Sequence, residues 1–578
     1  MDTGRRQFLT HGAAVVGGVL LGASLSGPIT RALENGQSFF RALGGTKELE
    51  RPADLPKTLA TFSDLEKGYH GANIPHGLVK EPAKPNVILV VIDTLRADHV
   101  GCYGANPFGL FDKRPEGNKQ YQQGASPAID VFAGESARFD RAYSITSKTN
   151  PAIASLLTAL PLTTHGVLTQ VGGLDPKTRT LAEILKEAGY RTGAVYSTFT
   201  LDDGKPGTSE HFRSGLSRGF DFYHRETRLV ARYGEDDYVD EEGRLIKSRA
   251  KQSVNAFLQW VDGARKSQPF FGLVHLFDPH DLYDPLPPFD LMFGKSCEDA
   301  RTPILRDSGY VRGIMGHMSH GISGGSPLSR AGLKSIESLY YGEIAYTSAV
   351  LSILFNRLNE WGLSDNTAVI LTADHGESMT EHGLFFTHVW VLYQDNTRIP
   401  LVVRCPWLVE ARGGLVVDAL ASSLDVMPTI LDICKVEVPR GLFGASLVPL
   451  LKGEKKRVHD CVFSEGPQVD NSSESEPPVR AVLSEDGFHY IAAGKFTRLS
   501  RTRPTLHNGE ELYNLKRDCV ETVNLARALP EKKAELKKAL EGFVGQAVDA
   551  RKNAGVDQKR VELSRGQMEA LRSLGYLR

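Results

Sequence analysis

Val87-Ile-Leu-Val-Val-Ile92 is six consecutive apolar residues, five of them β-branched. A run so short and so uniformly apolar fits a strand buried on both faces, the pattern of a central strand in a parallel sheet. It ends on Asp93. A second short apolar run, Ala368–Thr372, ends on Asp374-His375-Gly376, and a third, Phe270–Phe277, ends on Asp278-Pro279-His280. In an open α/β sheet, ligands bind beyond the carboxyl ends of the strands. Three buried runs ending on acids and imidazoles therefore constrain both the fold and the place of its chemistry.

Helical patterns alternate with these runs. Thr180–Gly189 reads as an amphipathic helix stopped by glycine, with a strand, Thr192–Tyr196, after it. A long amphipathic helix from Leu339 to about Trp361 precedes the Ala368 run. This alternation predicts an α/β fold with a large, mostly parallel sheet flanked by helices. From about residue 456 the pattern changes to short β-like runs, among them Ala481–Leu483 and His489–Ala492, followed by a helical stretch over 529–550. Residues 456–578 are expected to form an α+β subdomain, a small antiparallel sheet with a helix packed on it.

An acid and an imidazole at a strand end suit a hard or borderline cation. Asp is also a good helix N-cap, and both roles are open to Asp93. Pro151 suits the first turn of a helix, which places Thr149 at or just before a helix N-terminus. Thr149 is there either an N-cap or a hydroxyl at an anion-attracting helix end, where contact with a dication makes it a nucleophile.

Composition excludes several classes. With 41% hydrophobic and 24% charged residues in 578, the chain has ample apolar surface for a large core and is not a disordered polymer. The formal net charge is -1 and no basic stripe occurs, so nucleic acid is not an expected partner. Six cysteines are scattered with no Cys-x-x-Cys, which excludes a zinc ribbon or a thioredoxin-like motif and leaves their pairing open.

Arg5-Arg6-Gln7-Phe8-Leu9, followed by an apolar, Gly- and Ala-rich run over Ala13–Leu25, resembles a twin-arginine export signal. Residues 1–35 are read as that signal and 36–83 as a lead-in. The resemblance implies a periplasmic or extracytoplasmic protein that meets the twin-arginine (Tat) export machinery. No clean small-x-small cleavage site is present, so anchoring by an uncleaved signal is also open.

Val91-Ile-Asp-Thr-Leu-Arg-Ala-Asp-His-Val-Gly-Cys-Tyr-Gly104 resembles the opening motif of the sulfatase family, within the alkaline phosphatase superfamily. Ser126-Pro-Ala-Ile-Asp130, Arg138-Phe-Asp-Arg-Ala-Tyr-Ser144, Pro161-Leu-Thr-Thr-His165-Gly-Val167, Asp278-Pro-His280 and Asp374-His375 are similar to its later landmarks. The resemblance covers most of 84–578 and implies an alkaline-phosphatase-like catalytic domain over 84–455. Residues 105–124 are then a surface insertion, and 200–250 a second irregular one.

The resemblance also implies roles. Asp93, Thr149, Asp374 and His375 would hold one divalent metal. Thr149 would be the nucleophile, with His280 and His388 steadying the anion. Asp281, Asp284 and His275 are left open. A second metal would need Asp278 or Asp284 with His280 and His388. One departure matters most. True sulfatases carry Cys-x-Pro-x-Arg or Ser-x-Pro-x-Arg and oxidise the first residue to formylglycine, whereas this chain has Thr149-Asn-Pro151-Ala-Ile153. The convertible residue and the arginine are both missing, and no cysteine is followed by x-Pro. Threonine is what related phosphoethanolamine transferases and nucleotide phosphodiesterases use. Thr94 stands where the family has a second early Asp and His375 where it has a late Asn, which favours Zn or Mn over Ca.

The expectation is an exported metal-dependent hydrolase acting on a sulfate or phosphate ester of a small molecule, glycan or lipid. The alternatives are a phosphoryl-headgroup transferase or phosphodiesterase of the cell envelope, and a non-catalytic sulfatase-like binding protein.

Overall fold

The structure, a computed structural model, describes residues 68–557 and 559–560, apart from 73–76, 108–123, 204–213, 226–249, 282, 284, 287, 294–329, 389–390, 410–413, 467–477 and 493–508. The signal over 1–35, most of the lead-in, much of both insertions and Asp284 lie outside the described residues. Residues 60–578 form one compact unit. Among the described residues no helix is long and apolar enough to cross a membrane.

Eight strands make the main sheet: β1 (Asn86–Ile92) and β2 (Ala137–Tyr143), then, past a two-residue β3 (Gly172–Gly173), β4 (Arg191–Tyr196), β5 (Phe222–Arg225), β6 (Phe270–Leu276), β7 (Thr367–Ala373), β8 (Leu401–Arg404) and β9 (Leu415–Ser422). Their spatial order is β5-β4-β6-β1-β7-β8-β2-β9. β1 lies between β6 and β7, parallel to both, and every one of its seven residues is buried. This is the expected central strand. β8 alone in this sheet runs antiparallel to its neighbours, β7 and β2. The other seven strands therefore deliver their carboxyl ends to one edge.

Helices cover the sheet where side chains permit. Ala250–Ala264 lies against β4 and β6, whose Gly193 and Gly272 leave room for its aromatic residues. A Cβ at Gly193 would sit 2.2 Å from Trp260, and one at Gly272 would sit 2.6 Å from Phe257. The long helix Arg330–Glu360 begins well before the expected Leu339, because its first turns carry polar residues that weaken the apolar pattern.

Leu181–Glu187 is held at its start by a capping box. Thr180 Oγ1 accepts from Glu183 N and Glu183 accepts from Thr180 N, at 3.2 and 2.8 Å. Thr180 Oγ1 also donates to Arg218 O at 2.9 Å. Thr180→Ala is expected to cost about 1–2 kcal/mol, read as a lower urea midpoint at unchanged slope.

β10 (Cys461–Glu465), β11 (Arg480–Ser484), β12 (Phe488–Ala492) and β13 (Glu510–Asn514) form an antiparallel sheet in that order. The helix Pro530–Ala554 packs Leu536 and Leu540 on Val482, Tyr490 and Leu512 of this sheet. Its Phe543 joins Ile145, Leu162 and Leu424 of the larger layer. The small sheet and the large one thus share a helix. A two-residue β14 (Lys559–Arg560) pairs with β3. The five described cysteines, Cys102, Cys405, Cys434, Cys461 and Cys519, are free thiols.

Candidate active site

β6, β1 and β7 are adjacent, so the residues at their carboxyl ends meet. Asp93 follows β1, Asp374 follows β7, and His275 is the penultimate residue of β6, paired in register with Val91. One donor atom from each of Asp93, His275 and Asp374 lies within 4.8 Å of the others, and all three residues are buried. His275 Nε2 is 3.5 Å from Asp93 Oδ2. His375 Nε2 is 3.3 Å from Asp374 Oδ2, 3.8 Å from Asp93 Oδ1 and 3.4 Å from Thr149 Oγ1. Asp93, Thr149, Asp374 and His375 are therefore contiguous, although residues 93 and 374 are far apart in the chain.

The environment fits a cation. Both Asp93 oxygens, Asp374 Oδ2 and His275 Nε2 are buried with no hydrogen-bond partner. Buried polar atoms are normally satisfied, so four converging orphans demand an explanation. The tautomer of His375 supplies one. Its Nδ1 lies 3.0 Å from Gly376 O, which can only accept, so Nδ1 carries the hydrogen. Burial holds the ring below its ordinary pKa and hence neutral. Nε2 then presents a lone pair to two carboxylates, an arrangement of acceptors facing acceptors that a cation resolves. Burial likewise pushes His275 down to about 4. Burial, reinforced by the negative charges of Asp374 and Asp281, raises Asp93 well above the carboxylate range.

Backbone contacts fix these donors. Asp374 Oδ1 accepts from His375 N at 2.8 Å and from Thr94 N at 3.2 Å, which leaves Oδ2 for the centre. Thr94 has a positive φ of 53°, a strained conformation for a β-branched residue. Tyr340 Oη donates to Thr94 O at 2.7 Å and holds that turn. Gly376 cannot carry a side chain, since a Cβ there would lie 2.1 Å from Asp395 O. Arg96 straps the β1 and β7 loops together, with Nη1 donating to Glu377 O at 3.0 Å and pairing with Glu381 Oε1 at 2.8 Å.

His280 and His388 join the site through ring contacts. His375 and His388 stack at 4.6 Å, and His388 meets His280 edge-on at 4.9 Å. His388 Nδ1 lies 3.0 Å from Glu377 Oε1. Burial, with the charges of His375, His280 and Lys148, keeps His388 well below its ordinary value. Burial opposes protonation of His280 too, but Asp281, 2.6 Å from its Nδ1, raises it overall.

Two further placements bear on the expectations. Asp278, weighed for a second metal, accepts from Ala250 N through Oδ2 at 2.5 Å, at the start of Ala250–Ala264. Among the described residues no second group of three such donors forms. The helix Thr149–Thr158 begins at Thr149, and two of its first backbone positions offer no N–H to an anion. Asn150 N–H is already given to Gln170 Oε1 at 3.2 Å, and Pro151 has no N–H.

His275, left open by the sequence, is part of the centre. The one available signal was an imidazole inside the otherwise apolar Phe270–Phe277. Lys148 escaped notice altogether. It is 1% exposed and precedes the nucleophile candidate.

An open α/β sheet with buried carboxylates and imidazoles at its carboxyl edge, beside a threonine at a helix start, has the layout of a cation-competent ester hydrolase. The sulfatase family model matches residues 85–436. An arylsulfatase of Clostridium perfringens is 24% identical over 485 residues, covering 76% of this chain and 90% of that protein. A structure solved with D-glucosamine-2-N,6-O-disulfate aligns with a TM-score of 0.60 and 20% identity, over 81% of this chain and 98% of the other. A phosphonate monoester hydrolase from Silicibacter pomeroyi aligns with a TM-score of 0.57 and 21% identity, over 81% and 96%. This chain belongs to the sulfatase family. It has the family's alkaline-phosphatase-like fold and is a sulfuric or phosphoric ester hydrolase.

Proposed function

We propose that the protein hydrolyses a phosphate or phosphonate ester with Thr149 as nucleophile, in preference to a sulfate ester. The observation that carries this is the pairing of an unconvertible threonine with the Asp93–His275–Asp374–His375 cluster. A formylglycine sulfatase expels sulfate from an aldehyde hydrate, which threonine cannot form. A covalent phospho-threonine, later cleaved by water, is chemically natural. A phosphonate monoester hydrolase among the fold relatives supports this reading.

Asp93, Asp374, His275 and His375 would hold the metal. A set of two carboxylates and two neutral imidazoles favours Zn or Mn over Ca, which prefers oxygen. When bound, a divalent ion there lowers the pKa of a coordinated hydroxyl and offsets charge on the ester. The chain's own residues do the rest. Thr149 Oγ1 is fixed by the helix start, 3.4 Å from His375 Nε2. His280, whose pKa burial lowers but Asp281 raises overall, would hold anionic oxygen or give a proton to a leaving group. Phe277 stacks on His280 at 4.3 Å and keeps its ring in place.

The test is turnover of nitrophenyl phosphate, bis(nitrophenyl) phosphate, a phenylphosphonate ester and nitrophenyl sulfate by protein reconstituted with Zn or Mn. Phosphorus esters are expected to be turned over faster. Sulfate hydrolysis as the fastest reaction overturns the proposal.

The N-terminal resemblance supports export by the twin-arginine route to the periplasm or beyond. Replacing Arg5 and Arg6 by Lys is expected to hold the protein in the cytoplasm, read by cell fractionation. Unchanged export of that variant removes this part of the proposal.

A further inference from the structure

The loop that follows Asp374-His375 closes back on itself. Ser378 N donates to Thr387 O at 2.9 Å and Thr387 N to Ser378 O at 3.2 Å, an antiparallel bridge. The next position outward from such a bridge is the close kind, where side chains on the two segments face each other. Here that position pairs Glu377 with His388. Their side chains meet: His388 Nδ1 lies 3.0 Å from Glu377 Oε1, and both residues are buried.

Glu377 is carried by the same turn as Asp374 and His375. Its O accepts from Arg96 Nη1 at 3.0 Å, and Gly376 N donates to Asn396 O at 2.8 Å. His388 comes from the far limb of the loop. Its ring stacks on His375 at 4.6 Å and meets His280 edge-on at 4.9 Å. His375 Nε2 is in turn 3.4 Å from Thr149 Oγ1. One ring therefore separates His388 from the nucleophile candidate.

The loop does not need the Glu377 carboxyl for its shape. Backbone atoms make the bridge, and Asn396 Nδ2 donates to Ser378 Oγ at 2.6 Å. Burying a carboxyl group is costly, and an apolar residue of similar size would avoid the cost. The acid makes sense if its hydrogen bond is used. An imidazole that acts on a substrate works through one nitrogen while a partner on the other sets the ring's orientation.

We propose that Glu377 is a positioning residue, its hydrogen bond to Nδ1 fixing the His388 ring against His375 so that Nε2 is the nitrogen that works on the ester. The inference rests on the reading that the ester is attacked at Thr149, beside His375, and it deepens that reading.

The test is a double-mutant cycle on protein reconstituted with Zn or Mn, using whichever of the four esters named above is turned over fastest. Glu377→Leu is expected to lower kcat roughly tenfold or more, the usual scale for loss of a partner that orients an imidazole. KM is expected to stay within about threefold and metal content to be unchanged, because the lost contact orients a ring and holds neither substrate nor ion. His388→Ala is expected to cost at least as much, and adding Glu377→Leu to it no more than about twofold further, since the two act as one unit. A crystal structure of Glu377→Leu is expected to show the His388 ring turned from its place on His375. Glu377→Ala takes the same part in the cycle if the Leu variant does not fold. Additive losses overturn the inference, because they place the effect of Glu377 somewhere other than His388. A Glu377→Leu protein at the parent rate, or one that keeps the His388 ring in place, overturns it too. So does an unchanged kcat in His388→Ala. Sulfate as the fastest substrate would sink the proposed phosphorus chemistry while leaving this comparison readable.

Discussion

Thr149→Ala is expected to lower kcat on the preferred ester by roughly a thousandfold or more, with metal content, fold and phosphate binding intact. The size follows from what the hydroxyl does in the proposed reaction. Loss of an attacking group removes the covalent route entirely and leaves only binding and electrostatics, and such losses in nucleophilic hydrolases reach about a millionfold. The fold is spared because Thr149 contributes little packing that alanine does not. Its side chain makes one long contact, 3.4 Å to His375 Nε2, and the helix start is set by Lys148 and Pro151 around it. Thr149→Ser keeps the hydroxyl and is expected to retain substantial activity. Rapid quench with radiolabelled substrate should trap a phosphoryl group on the native protein and none on the Ala variant. A Thr149→Ala protein within tenfold of the native rate would end the assignment.

Asp93→Asn has opposite effects on binding and on stability. Both Asp93 oxygens are buried without partners, 3.5 and 3.8 Å from imidazole nitrogens and close to Asp374. In the metal-free protein that carboxylate is a liability, raised well above its usual pKa by burial first and by Asp374 and Asp281 next. A group whose folded pKa is raised in this way costs stability once pH passes its unfolded value of about 3.9. The neutral amide removes the cost, so the metal-free variant is expected to melt higher than the metal-free parent at pH 7. With metal the order reverses. The parent gains roughly 4 kcal/mol when free metal is a thousand times Kd. The variant, lacking a charged donor, is expected to bind at least roughly a hundredfold more weakly and to gain little. Calorimetric melts of both proteins, with chelator and with Zn or Mn, give the comparison. Equal metal-induced shifts would show that Asp93 is not a ligand.

Much of the fold was legible because β1, β6 and β7 are buried on both faces, so their sequences are nearly continuous apolar runs, interrupted chiefly by His275 of β6. β2 was harder. Ala-Arg-Phe-Asp-Arg-Ala-Tyr has three charged residues, and only the family landmark marked it. Its Arg138 and Arg141 are satisfied by Asp140 and Glu485, contacts that a hydrophobic pattern does not encode. The reversal of β8 was not legible either, since the short apolar run Leu401–Val403 reads the same in both directions.

The sequence by itself determined the strand ends and the donors they carry, because an apolar run that stops at an acid fixes where the backbone leaves the core. It also determined, by placing threonine where the family pattern has cysteine or serine, which covalent chemistry is open. Only the tertiary structure decided which donors meet. The adjacency of β6 and β1 brings His275 beside Asp93, and Asp278 Oδ2 meets Ala250 N at the start of a helix. The burial of Lys148 was likewise decided by packing, since a lysine before a helix is ordinarily solvated and nothing local says otherwise. Strand order sets which side chains share a cavity, and strand order is a property of long-range pairing that no local window contains.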